Sequence, residues 1–212
     1  FNMTGYVEDY VRGTKHTFGI LHMITNLPEF YLQYPIPEKY QEDMDDLINK
    51  NEKLYTQQKF SSEDCFKSLL ILYKWIDAMT YQNMSEHFDA EPGDIFYIKE
   101  NAKDLVYTFT EIVKFWRDYA QENEQKKIVS EYQNLIDESD LLKLQIIHGV
   151  PEKYLELVKI RQIGRVRAQI LYKNGYKNRT ILKKIPLEKL AAIDKIGMTL
   201  AKSIKSQVEK VR

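Results

Sequence analysis

Leu157-Val-Lys-Ile-Arg-Gln-Ile-Gly-Arg-Val-Arg-Ala-Gln-Ile-Leu171 reads as a helix, a tight turn at Gly164 and a second helix. In that reading Ile160, Ile163, Ala168 and Leu171 face inward, while Arg161, Arg165 and Arg167 crowd the turn. The first turn of a helix presents N–H groups without intrahelical partners, so arginines gathered there point to phosphate. The pattern returns in Leu190-Ala-Ala-Ile-Asp-Lys-Ile-Gly-Met-Thr-Leu-Ala-Lys-Ser-Ile204. There Ile193, Ile196, Gly197, Ala201 and Ile204 repeat Ile160, Ile163, Gly164, Ala168 and Leu171 at a constant offset of 33.

Outward from this repeat, charge divides the chain. Lys and Arg number 31, as do Asp and Glu, giving a formal net charge of zero. Up to Val150, however, the chain carries 15 basic and 26 acidic residues, and from Pro151 onward 16 basic and 5 acidic. A basic module of residues 151–212 is therefore attached to an acidic one of residues 1–150, which points to a polyanion partner for the C-terminal part. With 212 residues, 43% of them hydrophobic, the chain can bury a core. Eight Gly and six Pro, with long runs rich in Leu, Ile, Glu, Lys and Tyr, favour helix over a turn-rich sandwich or barrel.

One cysteine, Cys65, excludes an internal disulfide framework and suits a reducing compartment. Its expected role is that of a small apolar core residue. No run of about 18 uninterrupted apolar residues occurs, and no signal-peptide pattern opens the chain. A soluble, cytoplasmic protein with no membrane partner is expected. The chain opens on Phe1 rather than Met, as expected of a piece of something longer.

Helical periodicity marks the elements in the acidic part. Thr14–Leu27 carries Phe18, Leu21, His22, Ile24 and Thr25 on one side, with Thr17 as a possible cap and His22 as a packed core histidine. Tyr31-Leu-Gln-Tyr-Pro-Ile-Pro37 reads as an extended connector. Pro37 suits the first turn of an acidic helix from about Glu38 to Lys53. The acids Glu42-Asp-Met-Asp-Asp46 read as a solvated face, because no glycine-bearing loop with calcium-ligand spacing accompanies them. Ser61 and Ser62 open a core helix over Cys65–Met79, where Trp75 either packs or offers a base-stacking platform.

A short helix is expected at Met84–Phe88, then a turn at Glu91-Pro-Gly-Asp94 with Asp94 as N-cap. The spine follows from Ile95 to about Tyr119. Two further helices are expected, Glu124–Asp137 and, capped by Ser139-Asp140, Leu141–Ile147, the latter stopped by Gly149.

The constellations of catalysis are missing from the sequence. It holds no Gly-x-x-x-x-Gly-Lys-Ser/Thr loop, no Asp-Glu-x-His box, no dinucleotide fingerprint and no paired histidines at zinc spacing. His16, His22, His87 and His148 are scattered. No nucleophile with a base beside it can be named, so no catalytic or metal site is expected within this chain.

Three stretches point to one family. Phe18-Gly-Ile-Leu-His-Met-Ile-Thr-Asn-Leu-Pro28, then Leu72-Tyr-Lys-Trp-Ile-Asp77 leading to Glu91-Pro-Gly-Asp-Ile95, then Glu156-Leu-Val-Lys-Ile-Arg-Gln-Ile-Gly-Arg-Val-Arg-Ala168 resemble the C-terminal region of archaeal superfamily 2 repair helicases of the Ski-like branch. The resemblance runs from about Thr14 over nearly all of the chain. It implies an all-α fold: a helical-bundle "ratchet" domain followed by a small tandem helix-hairpin-helix domain. It further implies ATP and Mg in motor domains that precede this region, no cofactor within it, and binding of single-stranded or forked DNA.

Two departures from that family bear on the site. The long helix after Pro-Gly-Asp carries in relatives an Arg and a Trp, seven positions apart, on the translocating strand; here Tyr97 and Asp104 stand there. Tyrosine can stack on a base, whereas aspartate repels phosphate. The triplet Arg-x-Arg-Ala-Arg is Arg165-Val-Arg167-Ala-Gln169 here. Gln162 and Lys195 replace the first glycine of each Gly-Ile-Gly turn, at a cost of about 1 kcal/mol or more each if φ is positive there.

The expected nucleic-acid contacts are Arg161, Gly164, Arg165, Arg167, Lys173, Lys195, Gly197, Lys202 and Tyr97. They suit a helicase accessory region that grips the DNA backbone with little regard to sequence. Two other readings stand beside it: a helical protein-interaction scaffold, and a basic module that brakes the motor.

Overall fold

The computed structural model describes residues 17–27, 30, 40–50 and 66–210. Every regular element among them is a helix, so the fold is all-α. The chain folds as two compact units, one taking the described residues up to Trp75 together with Met79–Ile147, the other Ile76–Ala78 and the residues from His148 onward. Cys65, the Ser61-Ser62 cap and the Tyr31–Pro37 connector lie outside the described residues.

The first unit is built on its longest helix. α1 (Thr17–Thr25) is apolar nearly all round, and Ile20, Leu21, Met23 and Ile24 are fully buried. Thr17 is itself helical rather than a cap. Thr25 is buried too, its hydroxyl satisfied by the carbonyls of Leu21 and His22 at 3.0 and 3.1 Å. α2 (Gln41–Lys50) falls within the expected Glu38–Lys53, of which residues 38, 39 and 51–53 lie outside the described ones. α3 (Phe66–Ile76) buries Leu69, Leu70, Ile71, Leu72 and Trp75. It stops before Met79 because Ala78 turns to φ 68°, and the Met79 N–H closes on the Lys74 carbonyl at 3.0 Å.

Trp75 packs in the core. Its indole N–H donates to the Ile146 carbonyl at 2.7 Å, its ring lies 4.9 Å from that of Tyr81, and the Lys99 ammonium sits 4.7 Å from its centroid.

α4 (Tyr81–Phe88) starts three residues earlier than expected, because the Thr80 hydroxyl accepts from the Asn83 N–H and caps it. α5 (Pro92–Glu122) has 31 residues, about 46 Å at 1.5 Å each. Asp94 is not its N-cap. Pro92 occupies the first helical position, Glu91 is the cap, and the Asp94 carboxylate reaches back to accept from the Glu91 N–H at 3.2 Å. Ile95, Ile98, Ala102, Val106, Phe109 and Val113 form the buried stripe on which α1 and α4 pack.

α6 (Lys126–His148) is one helix where two were expected. Ser139 does not open a new one. It is buried in the helix interior, and its hydroxyl donates to the Leu135 carbonyl at 2.6 Å. Gly149 then takes φ 59° and ends the helix.

The second unit holds α7 (Glu152–Val158), α8 (Arg165–Lys173), α9 (Arg179–Lys184), α10 (Leu187–Ala191) and α11 (Gly197–Lys210). α7 packs on α8, while α9 and α10 both pack on α11. Leu157, Ile160, Ile163, Ala168 and Leu171 of the first pair are buried, as are Leu190, Ile196, Ala201 and Ile204 of the second. Ile193, the partner of Ile160 in the repeat, is only half-buried.

Candidate nucleic-acid interface

The two repeats fold into turns closed by the same bond. The Ile163 N–H donates to the Ile160 carbonyl at 3.0 Å, and the Ile196 N–H to the Ile193 carbonyl at 3.1 Å. The third residue of each turn, Gln162 and Lys195, has φ 71° and 59°. Positive φ at that position is the pattern of a type II turn, for which glycine is the usual residue. The tight turn is therefore centred on Gln162 rather than on Gly164.

Gly164 has an extended backbone, φ −88° and ψ −177°, and serves as the N-cap of α8. No side chain caps that helix end, and a Cβ built on Gly164 would meet nothing within 4 Å. A Ser, Asp or Asn here would fold its own oxygen onto the first-turn N–H groups, whereas glycine brings no such oxygen. Gly197 differs from its repeat partner: it has φ 61°, so there glycine is demanded by the backbone.

Around these helix starts the surface forms two grooves. One, of about 590 Å³, is lined by Gly164, Arg165, Val166, Arg167 and Lys195. The other, of about 430 Å³, is lined by Gln162, Arg167, Ile196, Gly197, Met198, Thr199 and Leu200. Arg167 is common to both. Its guanidinium is anchored: Nε donates to the Lys195 carbonyl at 2.8 Å and Nη1 to the Gln162 carbonyl at 2.9 Å. The side chain read from sequence as a phosphate contact thus joins the two turns while bordering both grooves.

A second tie runs from Gln207 on α11. Its Oε1 accepts from the Arg161 N–H at 2.8 Å, and its Nε2 donates to the Arg161 carbonyl at 3.3 Å. The Arg161 backbone is therefore occupied and its side chain projects from an exposed residue.

The structure gathers Gly164, Arg165, Arg167, Lys195 and Gly197 at the two grooves. Lys173 stands in the last turn of α8, about 12 Å along the helix from Arg165 at 1.5 Å per residue. Lys202 lines a separate groove on α11 with Leu187, Lys205, Ser206, Glu209 and Lys210. Val166, Met198 and Thr199 border the first two grooves without having been singled out by charge. Their position two or fewer residues beyond the repeated glycines was the signal available.

Tyr97 belongs to the first unit, on α5, and is 47% exposed. Asp104 is exposed as well, and a seven-residue separation puts the two on one helix face. The Asp104 carboxylate lies 3.6 Å from the Lys103 ammonium, which also pairs with Glu100, so its negative charge is partly offset. Phe96, Tyr107, Phe115 and Tyr119 of the same helix are exposed too. Among the described residues no group of three or more His, Cys, Asp or Glu could hold a metal ion, and no helix is long and apolar enough to cross a membrane.

Comparison with known proteins places the chain in a family. The profile described as "Archaeal helicase, domain 4" matches residues 18–130. ATP-dependent DNA helicase Hel308 of Pyrococcus abyssi is 29% identical over 199 residues, covering 92% of this chain and 26% of the relative. The protein of the same name from Pyrococcus horikoshii is 29% identical over 193 residues, covering 88% and 25%. That of Thermococcus kodakarensis is 27% identical over 201 residues, covering 92% and 17%. The chain thus spans about a quarter or less of the length of these relatives. With more than half of its residues inside the matching profile, the chain belongs to the archaeal helicase domain 4 family.

Proposed function

We propose that this chain is the nucleic-acid-binding accessory region of an ATP-dependent DNA helicase, gripping single-stranded or forked DNA by its phosphate backbone. In this reading residues 1–150 act as the ratchet-like bundle and residues 151–212 as the helix-hairpin-helix DNA-binding module. ATP and Mg would be handled by motor domains outside these residues, a reading supported for ATP by the relatives being ATP-dependent DNA helicases.

The observation that carries the reading is the start of α8. Its N-terminus has no side-chain cap and opens into a groove bordered by Arg165, Arg167 and Lys195. A helix N-terminus attracts an anion through its free N–H groups and its dipole, and the neighbouring cations add charge without reading bases. Titration of labelled single-stranded DNA at several salt concentrations tests it. Binding that weakens steeply as salt rises is expected, and absence of binding at low salt overturns the proposal.

A second reading draws on α5. Phe115 is 67% exposed, with Tyr119 and, on α6, Ile128 also open. Exposed aromatics favour a protein contact, and the helicase motor domains are the partner in view. If this is their use, Phe115→Ser and Tyr119→Ser weaken association with separately expressed motor domains and leave DNA binding by this chain unchanged. Unchanged association excludes it.

A further inference from the structure

α11 is amphipathic, and its outer face is basic. Ala201, Ile204 and Val208 are buried. At about 100° per residue, Met198, Lys202, Lys205 and Glu209 fall on one outward stripe, spaced four, three and four apart. The stripe begins at the second turn, where Met198 borders the groove shared by Gln162, Arg167 and Gly197. It ends in the groove of about 470 Å³ lined by Leu187, Lys202, Lys205, Ser206, Glu209 and Lys210.

Lys205 Nζ donates to the Lys183 carbonyl at 2.8 Å, which sets the exposed Lys183 and Lys184 beside that groove. Three lysines, Lys202, Lys205 and Lys210, therefore line that groove with one carboxylate, Glu209, and the exposed Lys183 and Lys184 bring the lysines of this region to five. Among the described residues none of the five is in an ion pair, whereas Lys74, Lys103, Lys114 and Arg117 of the first unit all are.

We infer that a DNA strand held at the two turns continues along α11, its phosphates meeting Lys202, Lys205 and Lys210 in succession, with Lys183 and Lys184 at the far end. The inference rests on the reading of the turns as phosphate sites. Three features select a nucleic-acid backbone as the occupant. The charge is predominantly positive, with Glu209 the one carboxylate in the groove, and among the described residues no ion pair neutralises the lysines. It is continuous with the groove at Gly197. It is also made of lysines, compact ammonium charges that hold phosphate without the planar fork that reads base edges or carboxylates. The 14 residues of α11 extend about 21 Å, the reach of about six nucleotides at B-form spacing and fewer of an extended strand.

The test compares two lengths of fluorescein-labelled oligo-dT, a hexamer and a hexadecamer, on the 212-residue chain at several salt concentrations. Wild type binds the longer oligomer more tightly. In Lys202→Gln/Lys205→Gln/Lys210→Gln the affinity ratio of long to short falls by about tenfold, and the salt slope on the long oligomer shrinks by about 2, at roughly 0.7 per lost contact. Arg165→Ala lowers both lengths alike and leaves the ratio in place.

A triple variant with the wild-type ratio and slope overturns the inference, as does a wild type that binds both lengths equally. Failure of wild type to bind either length removes the reading of the turns and this inference together. Should the triple variant lose its helical circular dichroism, Lys202→Gln/Lys210→Gln, which spares the Lys183 carbonyl contact, supplies the same comparison with a slope change of about 1.4.

Discussion

Gln162 and Lys195, 33 residues apart, share a left-handed backbone, and their two carbonyl oxygens accept from one guanidinium, that of Arg167. Turn geometry and inter-turn attachment are thus coupled. The positive φ rotates each carbonyl to where a single arginine can reach both.

The left-handed conformation costs a non-glycine residue about 1 kcal/mol or somewhat more, while glycine in the unfolded chain gives back about 0.4 to 1 kcal/mol in entropy. Gln162→Gly is therefore expected to stabilise the protein by about 0.5 kcal/mol. Lys195→Gly should do the same for folding while weakening DNA binding through the lost charge. Urea midpoints of the two variants check this. A fall in midpoint for Gln162→Gly would show that its side chain makes a contribution larger than the strain.

Arg165 and Arg167, two residues apart on α8, are expected to behave differently. Hydrogen bonds from a charged donor are worth about 1.5 to 3 kcal/mol when shielded, and the Arg167 pair is exposed, so about 1 kcal/mol is the appropriate scale. Lysine cannot span two carbonyls with a planar fork, so Arg167→Lys should lose nearly as much stability as Arg167→Ala while keeping the charge. Its salt slope on DNA should stay near wild type even as the affinity drops. Arg165→Ala should lower the slope by about 0.7 on single-stranded DNA. If Arg167→Lys matches wild type in thermal midpoint, the guanidinium bridge does not hold the turns together.

How far this was legible in the sequence depends on whether a feature is local. The inward set Ile160, Ile163, Ala168 and Leu171 follows from spacing alone, and all four are buried. Of the stripe that spacing marks on α5, Ile95, Ile98, Ala102, Val106, Phe109 and Val113 are buried and Leu105, Ile112 and Trp116 are half-buried, while His22 is packed in the core. Capping proved less legible, because two local signals can compete. Pro92 at the first helical position displaced the cap from Asp94 to Glu91. Ser139-Asp140 has the composition of a cap, yet an uninterrupted apolar stripe through Leu135, Leu142 and Ile146 carries the helix past it, and the serine hydroxyl turns back onto Leu135. The role of Arg167 was beyond reach. It depends on a carbonyl 28 residues away whose direction is set by the φ of Lys195.

Trp75 offers a test in the first unit. Its indole N–H is the donor for the Ile146 carbonyl, one of the last four of α6, which has no intrahelical partner to replace it. Trp75→Phe keeps an aromatic ring against Tyr81 and Lys99 but leaves that carbonyl buried without its donor. A loss of about 1 to 3 kcal/mol is expected, read from the urea midpoint. Faster amide exchange in the last turn of α6 should accompany it. A stability unchanged within 0.5 kcal/mol, on the order of additivity error, would mean that another donor takes over.

His22 makes stability depend on acid in a predictable direction. It is buried in α1 among Leu21, Met23 and Ile24, and that burial lowers its pKa from the ordinary 6.5 to about 4. The folded state therefore holds the imidazole neutral, while the unfolded chain takes up a proton below about pH 6.5. Above that pH both states are neutral and His22 leaves stability independent of pH. Between about 6.5 and 4 stability falls by about 1.4 kcal/mol per pH unit, reaching roughly 3 kcal/mol at pH 4. Other groups titrate in the same range, so the informative quantity is the difference between wild type and His22→Met, in which their contributions cancel. That difference should be flat from pH 8 to about 6.5 and then shift in favour of the methionine variant as pH falls. A difference that stays flat down to pH 4.5 would show that the buried imidazole accepts its proton without unfolding.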